Sequence, residues 1–195
     1  MFKGKNGINL LLAVLLCAVS VSALCIGRYT MNPLDVFRSA VHYGENSALD
    51  TVIWSVRLPR IIMAAAVGSG LSVAGLSLQA MFGNPLVSAH VLGVSYSAGF
   101  CAALGILLFS NFAIVETSSL LFGLVGMALT YRLSKRKGGR STLTLVLSGI
   151  IVGAAFEALT SLIKFVADPE SKLPTITYWL MGSLAGTSYE DIVKA

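Results

Sequence analysis

Long apolar runs separated by short polar stretches dominate the pattern of this chain. Five of them, Ile8–Ile26, Ile61–Met81, Val91–Phe109, Thr117–Leu133 and Thr142–Val166, approach or exceed the ~20 residues a helix needs to cross the hydrocarbon core of a bilayer. Thr117–Leu133 is the shortest. The alternating apolar–polar segments of a membrane barrel are absent, so the pattern predicts an all-α, polytopic transmembrane bundle. Between the first two runs, the stretch from Arg28 to Val56 is amphipathic, as a short helix lying at the membrane surface would be. After the fifth, Asp168-Pro169-Glu170 opens a polar break. Pro174–Gly186 then forms an apolar segment too short to span, an expected outer cap or re-entrant helix.

Composition removes the soluble alternative. Hydrophobic residues make up 55% of the chain and charged residues 12%, with a mean hydropathy of +0.81, whereas soluble domains carry roughly 25% charge. The net charge of +5 is unevenly spread. Lys3 and Lys5 precede the first run, and Arg132, Lys135, Arg136, Lys137 and Arg140 lie between the fourth and fifth. Because basic residues flanking spans are retained inside, these clusters place the N-terminus in the cytoplasm. The same assignment puts Asp35, Glu45, Asp50, Glu116, Asp168 and Glu170 outside. Topology and attraction to anionic lipid account for the basic loop, and no nucleic-acid partner is expected.

Cys17, Cys25 and Cys101 lie in or beside apolar runs without metal-ligand spacing, and read as packing or lipid-facing residues. A cleaved lipoprotein signal ending at Cys25 is disfavoured by the long apolar run and by the bulk of Leu24. His42 and His90 stand apart from other candidate ligands, and there is neither a nucleophile motif nor a GxxxxGK[ST] phosphate loop. The chain is therefore not expected to be an enzyme, to hold a metal or cofactor, or to bind ATP itself.

Four local features call for more than lipid solubility. In the second run, Ala64, Gly68, Ser72, Gly75 and Gln79 share one stripe at helical spacing, a helix-packing face with Gln79 hydrogen-bonding across it. Beyond that run, Phe82-Gly-Asn84-Pro85-Leu86 reads as an uncharged cytoplasmic turn. In the fifth run, Gly149 and Gly153 form a GxxxG step that continues along one face into Glu157, Thr160 and Lys164. An ionisable group at membrane depth costs about 2.5 to 3.5 kcal/mol on insertion scales, so Glu157 must face protein, water or a cation. The stripe either lines a solute pathway, forms a subunit interface, or holds a protonated Glu157 against a neighbouring helix. Lys164, near the outer boundary, is placed to snorkel. Finally, Arg57-Leu-Pro-Arg60 sets two arginines outside, against the positive-inside tendency, with Pro59 placed to start a helix. Lipid headgroups or an acidic partner would suit such a pair.

Taken in order, Arg57-Leu-Pro-Arg60, Gly75-Leu-Ser-Leu-Gln79-Ala-Met-Phe-Gly-Asn84-Pro85-Leu86 and Val91-Leu-Gly93-Val-Ser95 resemble the FecCD family of ABC importer permeases. Leu147-Ser-Gly149-Ile-Ile-Val-Gly-Ala and Tyr178-Trp179-Leu-Met181-Gly182-Ser183-Leu-Ala-Gly186 continue the resemblance, which covers the chain from about Val52 onward. It implies a ten-span permease fold, of which this chain would supply the N-terminal five spans. It also implies a dimer with a second permease subunit, two cytoplasmic ATPase subunits, and an extracytoplasmic binding protein whose acidic residues meet Arg57 and Arg60. The segment with Trp179, Met181 and Gly182 would sit at the outer mouth of the pathway, and the fifth span would line it. Iron-siderophore, haem or cobalamin-like chelates are the implied cargo, in a bacterial inner membrane. Two departures stand out: the chain stops at Ala195, where a sixth span would begin, and Glu157 occupies a position expected to be small or uncharged. The alternative expectation is a truncated or split permease that associates in the membrane without transporting on its own.

Overall fold

The computed structural model describes residues 3–27, 29, 31–41, 47–85, 87–109, 111–135 and 142–194, and all regular structure among them is helical. The readings given above for His42, Glu45, Arg136, Lys137 and Arg140, and for Arg28 and Leu86 within their segments, lie outside the described residues. The chain divides into two compact units, residues 1–70 with 184–195, and residues 71–183.

In the first unit, α1 (Lys3–Cys25) leaves its apolar side chains from Ile8 to Val19 open on every side. Such a helix is stable only in an apolar surrounding. α2 (Pro33–Val41) is a short helix within the stretch expected to lie at the membrane surface. Pro33 occupies its first position, and Asp35 and Arg38 complement its dipole at the two ends. Leu34, Phe37 and Val41 form one uncovered apolar face, while the opposite side turns Ser39 inward. The Ser39 hydroxyl donates to the Asp50 carboxylate, and the Trp54 indole N–H donates to Ser39 Oγ at 3.2 Å.

α3 (Ser47–Asp50), a π-helical segment (Thr51–Arg57) and α4 (Leu58–Phe82) follow one another without a break. They give one helical path of 35 residues from Ala48 to Phe82. This corrects the expectation that Pro59 starts the helix. A proline inside an α-helix lacks the amide its turn requires and clashes with the carbonyl four residues back; the wider π turn just before it relieves that clash.

The second unit is built around α5 (Val94–Leu108), with α6 (Phe112–Leu133), α7 (Thr142–Val166) and α8 (Lys172–Met181) packed against it. Ala102 and Ala103 are fully buried in a core with Ile106, Val115, Ile163, Ala167 and Ile176. Phe100, Phe122 and Phe156 form a three-way aromatic contact, with centroids 5.5 to 6.1 Å apart. The end of α4 joins a smaller cluster through Leu78 and Phe82 against Val87, Leu92 and Leu145.

Four helical stretches, in α1, the Ala48–Phe82 path, α6 and α7, are long and apolar enough to cross a membrane; α5 is shorter. The expected third span is thus corrected at its start. Turns occupy the chain up to Gly93, whose φ of 74° puts it in the left-handed region, and helix begins only at Val94. Irregular backbone at membrane depth is tolerated where protein covers it. Here Thr130 of α6 donates to the Leu92 carbonyl at 2.9 Å, and Ser97 donates to that of Gly93 at 3.0 Å. The other boundaries shift less. α6 starts at Phe112, ahead of the expected Thr117, because Asn111 caps it by accepting from the Ala113 amide at 3.0 Å; Glu116 therefore lies within the helix. α7 has the expected bounds. α8 ends at Met181, where Gly182 takes a φ of 72°, so the expected cap is a ten-residue helix followed by turns.

Candidate functional site

The GxxxG face of α7 is used within the chain. A Cβ on Gly153 would lie 2.8 Å from the Tyr96 ring, and one on Gly149 would overlap the Val91 carbonyl oxygen. This close approach sets α7 beside the start of α5. Beside it, with α8 on a third side, lies a groove of about 530 Å³. Glu157, Thr160 and Lys164 of α7, His90 in the turn before α5, Ser95 and Tyr96 at the start of α5, and Trp179 of α8 line it.

Two of the groove's hydroxyls are committed to their own helix: Thr160 Oγ1 donates to the Phe156 carbonyl at 2.8 Å and Ser161 Oγ to that of Glu157 at 3.0 Å. The carboxylate of Glu157, the ammonium of Lys164 and the His90 ring therefore supply its chemical character. Glu157 and Lys164 are two turns apart, about 10.5 Å along the axis, which spreads the two ionisable groups along the wall. His90 meets Tyr96 edge-on, with centroids 5.9 Å apart. Trp179 packs against the core of the unit, whereas Met181 and Gly182 are exposed beyond it.

His90, Ser95 and Tyr96 escaped sequence reasoning as site residues. Helical periodicity relates positions on one helix, while these reach the groove from a turn and a second helix. The Val91–Ser95 motif was the signal that marked the place.

The stripe on α4 has a different setting. Ala64, Gly68 and Ser72 are exposed, and a Cβ built on Gly68 or Gly75 would meet nothing within 4 Å. Gln79 does not bond across a helix contact as expected; its Nε2 donates to the Pro85 carbonyl at 3.1 Å. The cause is the turn itself. Gly83, at a φ of 59°, ends α4, and the Asn84 amide returns to the Gln79 carbonyl at 3.2 Å, which brings Pro85 back over the last helical turn.

The two arginines of the Arg57-Leu-Pro-Arg60 motif both grip main chain. Arg57 is buried, and its guanidinium donates to the carbonyls of Leu24 and Tyr29, so it caps the C-terminal end of α1 with a cation. Arg60 donates from Nε to the Leu184 carbonyl at 3.1 Å and from Nη2 to that of Ala185 at 2.6 Å. The expectation of an outward-displayed pair is thus corrected for Arg57, which is buried on carbonyls at and just beyond the end of α1, whereas Arg60 is half-exposed against the loop after α8.

The sequence matches the FecCD transport family over residues 11–195. It is 38% identical to the molybdate import system permease protein MolB of Haemophilus influenzae, over 93% of this chain and 55% of that protein. It is 34% identical to the Fe(3+)-citrate import system permease protein YfmE of Bacillus subtilis, over 94% of this chain and 54% of that protein. A solved structure described as an inward-facing conformation of a metal-chelate type ABC transporter superposes with a TM-score of 0.78 at 36% identity. That match covers 96% of this chain and 57% of the other. The chain spans about half the length of these relatives. It is a multi-pass membrane protein and belongs to the FecCD transport family.

Proposed function

We propose that this chain is part of the membrane permease of a binding-protein-dependent ABC importer. It works beside a second permease subunit, cytoplasmic ATPase subunits that hydrolyse ATP, and an extracytoplasmic binding protein. The observation that carries the reading is the groove walled by α5, α7 and α8: polar and ionisable side chains line it inside a bundle that is otherwise apolar. Such groups at membrane depth mark solute pathways.

The proposed cargo is a metal chelate of the iron-siderophore, haem or cobalamin kind, in keeping with the Fe(3+)-citrate relative and the metal-chelate transporter structure. The molybdate relative adds an oxyanion to the classes worth testing. A groove with Lys164 at one end and Glu157 two turns away offers both charges to a bulky polar solute. The N-terminus is proposed to be cytoplasmic, which sets Arg57 and Arg60 at the outer face. Docking of an acidic binding protein there is an exchange in which its carboxylates replace the carbonyl oxygens on Arg60, the less buried of the two arginines.

Uptake assays test the pathway. Cells expressing the chain with its ATPase and binding protein are given labelled ferric siderophore, cobalamin or molybdate. Ala98→Trp, which fills the groove, is expected to abolish uptake of the accepted cargo while the ATPase still copurifies. Unchanged uptake would remove the groove from the pathway. For docking, Arg60→Glu is expected to weaken capture of the loaded binding protein.

A further inference from the structure

The helical path around Pro59 has a register problem that a second segment solves. In the π register of Thr51–Arg57 each amide bonds five residues back, and the Leu58 N–H does so, donating to the Ile53 carbonyl. The next bond in that register would run from residue 59 to Trp54, and proline has no N–H to give. The Trp54 carbonyl instead accepts the Tyr189 hydroxyl at 2.7 Å. In an α register the missing bond would fall one residue later, on Ser55, and Tyr189 would be matched to the wrong carbonyl.

Three hydrogen bonds therefore tie residues 184–189 to this junction: two from Arg60 to the carbonyls of Leu184 and Ala185, and one from Tyr189 to Trp54. We propose that the Leu184–Tyr189 segment is a latch that selects the π register of Thr51–Arg57, with Tyr189 as the positioning residue that reads it. Releasing the latch lets the segment relax towards an α register. A one-residue change of register turns everything N-terminal to it by about 100° about the helix axis, including Trp54 and its bond to Ser39. π turns within long helices recur at functional positions, and this one joins the surface helices to a membrane-crossing one.

The test uses the full chain in lipid nanodiscs, with no cargo, ATPase or binding protein, so its outcome is independent of the transport reading. Trp179→Phe leaves Trp54 as the sole tryptophan reporter. Tyr189→Phe, which removes only the hydroxyl, is expected to red-shift Trp54 emission and to speed amide exchange across residues 187–194 roughly three- to tenfold. Tyr178→Phe, at an exposed position, is the control and should change neither. In a Pro59→Ala background, where the missing amide is restored, the effect of Tyr189→Phe on Trp54 should shrink. Faster exchange with unchanged Trp54 emission would overturn the register claim, as would an equal Trp54 shift in both backgrounds. If Pro59→Ala does not fold, the emission of Tyr189→Phe alone decides.

Discussion

Gly149 lies against the backbone of Val91 with no space for a β-carbon, which would come within 2.9 Å of the Val91 carbonyl carbon and 3.1 Å of the Leu92 Cα. Main chain cannot step aside as a side chain can. Gly149→Ala is therefore expected to destabilise the second unit by about 1–3 kcal/mol, the usual cost of overpacking, as a lowered thermal midpoint in detergent. Gly153→Ala should cost less, because its neighbour is the Tyr96 ring, which can rotate.

On α4 the same substitution should behave oppositely. Gly68→Ala and Gly75→Ala meet nothing within 4 Å and gain roughly 0.5–1 kcal/mol of helix propensity. The isolated chain is expected to be unchanged or slightly more stable. If the small-residue face packs against another subunit, crosslinking of the assembled permease should fall in the same variants.

Thr130→Val keeps the shape of the side chain and removes the donor to the buried Leu92 carbonyl. Leaving that carbonyl unsatisfied is expected to cost about 1–3 kcal/mol, read by thermal or denaturant unfolding. Thr130→Ser retains the hydroxyl and should recover most of the loss.

Asp168 opens the turn into α8. The Ser171 hydroxyl bound to its carboxylate, helped by the Ser171 and Glu170 amides, holds its pKa below the ordinary aspartate value against a smaller opposing effect of burial. A depressed carboxylate stabilises the fold above its unfolded pKa, and that contribution is lost as pH falls through the lower folded value. Amide exchange at Ser171 should thus stay slow below the pH at which a free aspartate protonates and rise only in stronger acid. Asp168→Asn should abolish this pH dependence.

Arg57→Gln removes the cation that caps α1 through Leu24 and Tyr29. Hydrogen bonds from charged donors contribute about 1.5–3 kcal/mol, so exchange at the C-terminal end of α1 should speed up markedly. Arg57→Lys should restore only part of the protection, since one ammonium does not reproduce the two-pronged geometry.

The apolar runs were enough to establish an all-helical membrane protein, because lipid solubility and span length are properties of composition and spacing alone. The bounds of α7 and the shared face of Gly149, Gly153, Glu157, Thr160 and Lys164 were legible for the same reason: one helix repeats with a fixed period. What periodicity cannot carry is contact between segments distant in sequence. The shortening of the third span depended on Thr130 satisfying backbone at Leu92, 38 residues away. The groove depended on His90 and Tyr96 facing α7 and α8, and Arg57 turned inward because the carbonyls of Leu24 and Tyr29 came within reach. In the sequence Arg57-Leu-Pro-Arg60 is a basic pair around a proline, and only tertiary structure could show that its acceptors are main chain. Hydrogen bonding is directional and short-ranged, so its partners are chosen by the fold, whereas the hydrophobic pattern that drives the fold is written along the chain.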